Sequence, residues 1–452
     1  MSNLKTFLAS ARRRRWRPSP LLRDTAVATI ANNVGKGLGL AVPFFIADWF
    51  TSSSATDAFF FAYAWVTFVT LIFAPVLESV VVPFIAQQRS AGSDVGQFVG
   101  RLLPLAGISL ALCSLAGWGL ISALLPLITN FPAGQIPLVK LCLVELTPLV
   151  ALTALSSLIA GTLNAYRSFA LPGLSAGIRA VIVILSGWFL KDSLGIQAIS
   201  LGYIAGEFVR LLILFAALAR FPHIRLRWEG NLFGGMGEFV RKAGQQTLGM
   251  VASELSPIVD KMMATALGVG AISALSYAER LYLIPIIFSS SGFLTTFLSH
   301  WSHGYYGEEG GAGFRRSLSR SLRWTAILAV VAGALLILLH RPLVFLAYGR
   351  PGFPTAELKK VALLYALMNL ALLPQLLSYI LTRAFLTVKN TRAIRNLGII
   401  RLAGKIALNL LLIKLWGLPG IAVATALAAW IGLFYLFRVY RRGVGYDRKE
   451  KK

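Results

Sequence analysis

Apolar runs of twenty residues or more recur along almost the whole chain, and most of the short stretches between them are studded with Lys and Arg. A helix needs about 20 mainly apolar residues to cross hydrocarbon, and only helices or closed barrels satisfy their backbone groups there. Twelve runs qualify, near 26–49, 56–86, 101–128, 138–163, 169–190, 195–219, 241–267, 271–299, 322–347, 358–386, 393–415 and 418–438. They predict an all-α polytopic membrane protein of about twelve transmembrane helices. Composition agrees: 56% of residues are hydrophobic, 14% are charged and the mean hydropathy is +0.70. A soluble domain carries roughly 25% charged residues, so a water-soluble fold is excluded, and so is a disordered chain.

The formal net charge is +26, from 44 Lys and Arg against 18 Asp and Glu. In a soluble protein that balance would suggest nucleic acid. Here position decides otherwise. Counting alternate connections, 30 of the 44 basic residues fall on one side, including Arg12 to Arg15, Arg220, Arg225, Arg315, Arg316, Arg392, Arg395, Arg441 and Lys449. Positive loops stay cytoplasmic, so both termini are expected in the cytoplasm and no nucleic-acid partner is needed. The basic run before Pro18 and Pro20 has no small-residue cleavage pattern after it, and it reads as a tail leading into a retained span.

Ala55, Ala58 and Ala62 recur as Ala271, Ala274 and Ala278, an offset of 216. Asn164 matches Asn390, and Gly195-Ile196 matches Gly420-Ile421, at offsets of 226 and 225. The chain therefore reads as six spans plus six in a parallel repeat, two six-helix lobes around a central cavity. The expected division is a basic cytoplasmic tail over 1–25, an N-terminal lobe over 26–220, a cytoplasmic linker over 221–240, a C-terminal lobe over 241–440 and a basic cytoplasmic tail over 441–452.

Ionisable residues at bilayer depth cost roughly 2.5–3.5 kcal/mol on insertion scales, so they face partners or a wet cavity. The first two spans of each lobe hold most of them: Lys36, Glu78, Glu254, Asp260, Lys261, Glu279 and Arg280. If those spans face each other, Lys36, Lys261 and Arg280 can hold an anionic head group such as a pyrophosphate. Arg280 suits this best because its planar fork binds phosphate oxygens in pairs. Glu279 can orient Arg280, while Asp260 and Glu254 are the candidates for coupling to a monovalent cation or proton. The alternative is structural ion pairing, for instance Asp260 with Lys261. Glu145, Arg179, Glu207 and Arg210 read as snorkelling or interhelical pairs. Arg401 and Lys405, four apart on one helical face, can face lipid headgroups or a second groove.

No enzymatic constellation is present. His223, His300, His303 and His340 lack metal-ligand spacing, Cys113 and Cys142 lie in apolar stretches, and no nucleotide-binding glycine loop occurs. No metal or other cofactor is expected, and coupling can instead draw on an ion gradient or the membrane potential.

Several segments resemble the MurJ/MviN family of lipid II flippases, within the multidrug/oligosaccharidyl-lipid/polysaccharide exporter superfamily. They are Ser54-Ala55-Thr56-Asp57-Ala58-Phe59-Phe60-Phe61-Ala62, Leu163-Asn164-Ala165-Tyr166-Arg167-Ser168-Phe169-Ala170-Leu171-Pro172, Tyr277-Ala278-Glu279-Arg280-Leu281 with Pro285, and Tyr348-Gly349-Arg350-Pro351-Gly352-Phe353-Pro354-Thr355. The resemblance implies two lobes around a cavity opening alternately to either side, in a bacterial inner membrane. It implies as cargo an undecaprenyl-pyrophosphate-linked saccharide moved to the outer leaflet, with Arg280 and Asp57 among the site residues. The chain departs from the family pattern at Val42-Pro43, where an Arg-Asp pair is usual, and at Thr70-Leu71, where an Arg pair is usual. It also has twelve spans rather than fourteen, and Lys36 can replace one lost charge.

The expected function is thus a flippase for lipid II or a related lipid-linked glycan, with glycan synthases or polymerases as possible partners. The alternatives are an exporter of O-antigen or exopolysaccharide repeat units, a cation-coupled drug antiporter on the same fold, and a membrane-embedded glycan ligase or polymerase.

Overall fold

A computed structural model describes residues 20–90, 94–221, 254–289, 310–387 and 391–442, with a few isolated positions between 224 and 251. The described residues are helical throughout, without strands. The N-terminal lobe comprises α1 (Pro20–Phe50), α2 (Ser54–Ser90), α3 (Val95–Ile128), α4 (Ile136–Leu146), α5 (Pro148–Ala165), α6 (Ala170–Leu194) and α7 (Gln197–Ala219). The C-terminal lobe comprises α8 (Ser256–Ala264), α9 (Ala271–Phe288), α10 (Gly310–Leu338), α11 (His340–Tyr348), α12 (Thr355–Asn369), α13 (Leu372–Thr387), α14 (Thr391–Trp416) and α15 (Leu418–Arg441).

Ten helices among the described residues are long and apolar enough to span a bilayer, or eleven if the α12–α13 pair, bent by 43°, is one span. The expected seventh span, 241–267, is described continuously only from 254, where α8 forms its second half, and most of the expected linker lies outside the described residues. Two expected spans are interrupted, and the fourth runs continuously over Ala133–Ala165 with one irregularity between α4 and α5, where Pro148 lacks the N–H that would continue the ladder and Thr147 turns its hydroxyl onto the Leu143 carbonyl at 2.7 Å. The ninth breaks at Leu339, and the tenth bends at Leu370-Ala371.

The two-lobe repeat has a backbone signature. Gly195, just before α7, has φ 57° and ψ −138°, and Gly417, just before α15, has φ 62° and ψ −134°. Both lie in a region that L-residues with a Cβ rarely occupy, so glycine sets the same corner in each lobe. The conformational partner of Gly195 is therefore Gly417 rather than Gly420, the residue matched by sequence.

Packing distinguishes the two ends of the molecule. One apolar core contains residues of both lobes, among them Ile46, Phe60, Phe61, Leu125 and Leu143 with Leu275, Tyr277, Tyr348 and Tyr365. These flank the connections near 51–53, 129–135, 268–270 and 349–354, the end of the bundle poor in Lys and Arg. Toward the opposite, basic end there are two separate cores. One, with Phe84, Phe98 and Leu158, is built mainly from the N-terminal lobe and also takes in Phe239, whose ring meets Phe84 at 5.4 Å, and the other, with Leu318, Leu381 and Phe385, belongs to the C-terminal lobe. Among the described residues, the core shared most widely between the lobes is the one at the end poor in Lys and Arg. Large side chains such as Leu127, Phe189, Leu346 and Phe434 remain exposed on the outside, as a lipid-facing surface requires.

Candidate functional site

The joined end is tied by polar groups as well as by apolar packing. Asp57, in the first turn of α2, is almost fully buried and turns its carboxylate onto the N-terminus of α9 in the other lobe. Its Oδ2 accepts the Gly270 N–H at 2.6 Å, and its Oδ1 accepts the Ser273 N–H at 2.8 Å and the Ser273 hydroxyl at 2.5 Å. Thr56 Oγ1 and Ser273 Oγ are 2.7 Å apart. A helix start leaves unpaired N–H groups and a partial positive charge, both of which a carboxylate satisfies. Asp57, expected among the cargo contacts, is in this structure committed to the seam between lobes.

Further bonds continue the seam. Tyr277 donates its hydroxyl to the Thr51 carbonyl at 2.7 Å, Asn130 N–H donates to Thr265 Oγ1 at 2.9 Å, and Arg350 pairs with Asp48 at 3.0 Å. The Phe60 and Tyr277 rings meet edge to face at 5.3 Å. A cleft of about 390 Å³ lies beside this seam, lined by Asp57, Asn130, Gln135, Thr265 and Gly268 among others.

Behind the seam, toward the basic end, lies Arg280 on α9. It is nine residues into that helix, and Tyr63 is nine residues into α2, so a rise of 1.5 Å per residue puts both roughly 14 Å from the helix starts. The Arg280 guanidinium lies 5.8 Å from the Tyr63 ring centroid, across the lobes. Among the described residues it forms no ion pair. Its neighbour Glu279 binds Lys261 on α8 at 2.9 Å and acts on Arg280 only electrostatically, without a direct ion pair. The reason is helical geometry: adjacent residues diverge by about 100° around the axis, and Glu279 and Arg280 meet different neighbours.

Asp260 is buried and pairs with Lys405 of α14 at 2.5 Å, while Asn409 Nδ2 donates to its other oxygen at 2.9 Å. Sequence spacing suggests Lys261 as the partner; again adjacency along a helix is not adjacency in space. Lys405 and Asn409 are four apart and share one face, so a polar pair with that spacing in an apolar span is the signal for this contact. Arg401, one turn earlier, donates to Gln375 of α13 at 2.5 Å. Thus Arg401 and Lys405 point into the bundle rather than to lipid headgroups. Glu254, just before α8, is half-buried.

Lys36 is exposed on α1 and interacts electrostatically with Glu78 of α2 rather than with Lys261 or Arg280. Asn164 donates to Glu78 at 2.8 Å, tying the end of α5 to α2. Arg179 of α6 and Arg210 of α7 share the buried carboxylate of Glu207 at 2.8 and 2.9 Å, an interhelical cluster as expected. Of the three basic residues expected to converge, Lys261 and Arg280 flank one region of α8 and α9, and Lys36 lies elsewhere. Tyr63 and Tyr203 are new: their rings are 4.9 Å apart beside Arg280, and aromatic residues in apolar spans give no sequence signal of their own.

Against known proteins, the family described as "Lipid II flippase MurJ" matches residues 46–451. The chain belongs to the MurJ family. A MurJ relative from Vibrio cholerae, named a probable lipid II flippase, is 23% identical over 434 residues, covering 92% of this chain and 82% of the relative. A solved structure of lipid II flippase MurJ in an inward closed conformation superposes with a TM-score of 0.79 at 22% identity, over 92% of this chain and 87% of that one. An inward-facing multidrug resistance MATE transporter superposes at 0.76 with 13% identity, over 91% and 95%. The MATE likeness is one of fold alone. As in its MurJ relatives, the helices of this chain form a multi-pass membrane protein built from two lobes.

Proposed function

We propose that this chain moves lipid II, or a closely related undecaprenyl-pyrophosphate-linked saccharide, from the inner to the outer leaflet by alternating access. The basic end then faces the cytoplasm, both termini lie in that compartment, and the protein resides in the inner membrane. The division into a tail over 1–25, lobes over 26–220 and 241–440, a linker over 221–240 and a tail over 441–452 belongs to the same reading.

One observation carries it: Arg280, a guanidinium that forms no ion pair among the described residues, stands at the meeting of the lobes, behind a seam closed on the less basic side. Taking a sugar diphosphate across bare hydrocarbon means burying unpaired charge. A cation reached from the cytoplasmic side, with the polyprenyl tail left in lipid, offsets that cost. Lys261 joins when cargo displaces Glu279, Lys36 lines the approach, and Asp57 closes the exit until the lobes rearrange. A bound head group drives that rearrangement only by binding the two states with different affinity. Coupling to a monovalent cation, a proton or the membrane potential falls to Asp260 and Glu254, and Asp260 must release Lys405 to take a cation. Unchanged ion dependence in Asp260→Asn and Glu254→Gln would remove both from that role.

The test is rescue of a cell depleted of its own lipid II flippase. Wild type restores growth, and Arg280→Ala does not at equal membrane abundance. Failure of abundant wild type would reject lipid II as cargo. A second reading, export of O-antigen or exopolysaccharide units, is favoured by the uncharged residues Val42 and Thr70 where typical family members carry arginines. Deletion would then remove surface glycan and leave growth intact. A drug antiporter is disfavoured by the unpaired cation, which repels lipophilic cations. Glycan synthases or polymerases that consume the cargo are the partner class this function implies.

A further inference from the structure

The Tyr63 ring lies between Phe59, stacked at 5.6 Å and 20°, and the Arg280 guanidinium at 5.8 Å. Stacking holds a guanidinium by its face, so the in-plane N–H donors stay free for an oxyanion. Tyr203 of α7 packs against Tyr63 at 4.9 Å, and the two hydroxyls lie next to each other and to Thr67. Four residues on from Tyr203, on the same face and about 6 Å along the axis, is Glu207.

Glu207 holds two arginines that differ in how far they are used. Arg210 donates to Glu207 and to Ser175 Oγ and lies 11% exposed, inside the lobe. Arg179 donates through Nη1 to Glu207 and remains 26% exposed, the more open of the two. One carboxylate cannot neutralise both, so the cluster keeps one positive charge, with Arg179 as its open member. Arg179 is tied to Glu207, one turn from Tyr203 on α7, and both Arg179 and Arg280 act electrostatically on the two tyrosines.

We propose that Arg179 and the hydroxyls of Tyr63 and Tyr203 complete, with Arg280, a two-lobe oxyanion site for the diphosphate and first sugar of the cargo; this rests on the flippase reading above. The site is rich in donors, with two guanidinium groups and two phenols, and the nearby acids Glu207 and Glu279 are already in ion pairs. Three of its four members come from the N-terminal lobe and one from the C-terminal lobe, so separating the lobes pulls the site apart.

The experiment uses the full chain in nanodiscs of zwitterionic phospholipid, with lipid II and undecaprenyl pyrophosphate as probes. Arg179→Gln weakens both probes about tenfold or more, the scale of a lost hydrogen bond to a charged group. Tyr203→Phe keeps the ring and weakens lipid II severalfold. Arg210→Gln breaks the same buried cluster outside the proposed site and stays within about threefold of wild type. Wild-type affinity in Arg179→Gln overturns the proposal, and wild-type lipid II binding in Tyr203→Phe removes the hydroxyls from it. An equal loss in Arg210→Gln also overturns it, by marking the effect as packing. If wild type binds neither probe, the flippase reading falls and takes this site with it. If only Arg280→Ala loses binding, the flippase reading survives and this site does not.

Discussion

The two ends of the lobe interface are built on opposite plans. At the less basic end a single apolar core runs through both lobes, and the hydrogen-bonding groups of Asp57, Ser273 and Tyr277 meet partners across the seam. Toward the basic end the described residues form two smaller cores, and the guanidinium of Arg280 forms no ion pair with a described carboxylate. The contrast locates the barrier and the binding groups in different places. Closure comes from satisfied polar groups and shared apolar burial, whereas cargo recognition, in the proposed function, draws on a half-buried cation that an anionic ligand would pair.

The largest expected effect tests the unsatisfied end. Arg280→Ala abolishes export with normal membrane insertion, and Arg280→Lys keeps part of it because charge survives without the planar fork. Export by the Ala variant at wild-type rate would dissolve the contrast. At the closed end, Thr56→Cys with Ser273→Cys, in a chain whose Cys113 and Cys142 are replaced by Ala, joins positions whose hydroxyls lie 2.7 Å apart. The oxidised protein should stop transporting and recover on reduction. Continued transport when cross-linked would mean that the seam never opens.

A smaller effect concerns the C-terminal lobe alone. Lys405→Met leaves Asp260 buried and unpaired and should lower stability by about 3–5 kcal/mol, read from the Tm of detergent-purified protein. Adding Asp260→Asn should recover most of that loss, and a double variant no better than the single would show that the pair is not the source. Smallest of all, Tyr277→Phe removes one interlobe hydrogen bond, with an expected loss of about 1 kcal/mol. An equal loss in a separately expressed C-terminal lobe would place the effect outside the seam.

How far the site was legible follows the physics of each signal. Arg280 stood out because a charge in an apolar run is costly wherever it points, and the family motif around it strengthened the signal. The ion pair of Glu279 with Lys261 was not legible, since residues adjacent on a helix point in different directions. Asp57 was visible as a motif residue, but its use as a cap depended on where the start of α9 lies in space. Tyr63 and Tyr203 were indistinguishable from the many aromatic side chains that fill membrane helices.

Sequence alone determined that the chain is helical and crosses a membrane many times, and it raised the expectation of a basic cytoplasmic face and two related halves. Hydrophobic length and loop charge are local properties, fixed residue by residue by the cost of burying polar groups in lipid. Only the tertiary structure decided which acid neutralises which base, where the lobes close, and which cation is left over. Those outcomes depend on distances of a few ångströms between helices far apart in the chain, and Coulomb and hydrogen-bond energies change steeply over that range.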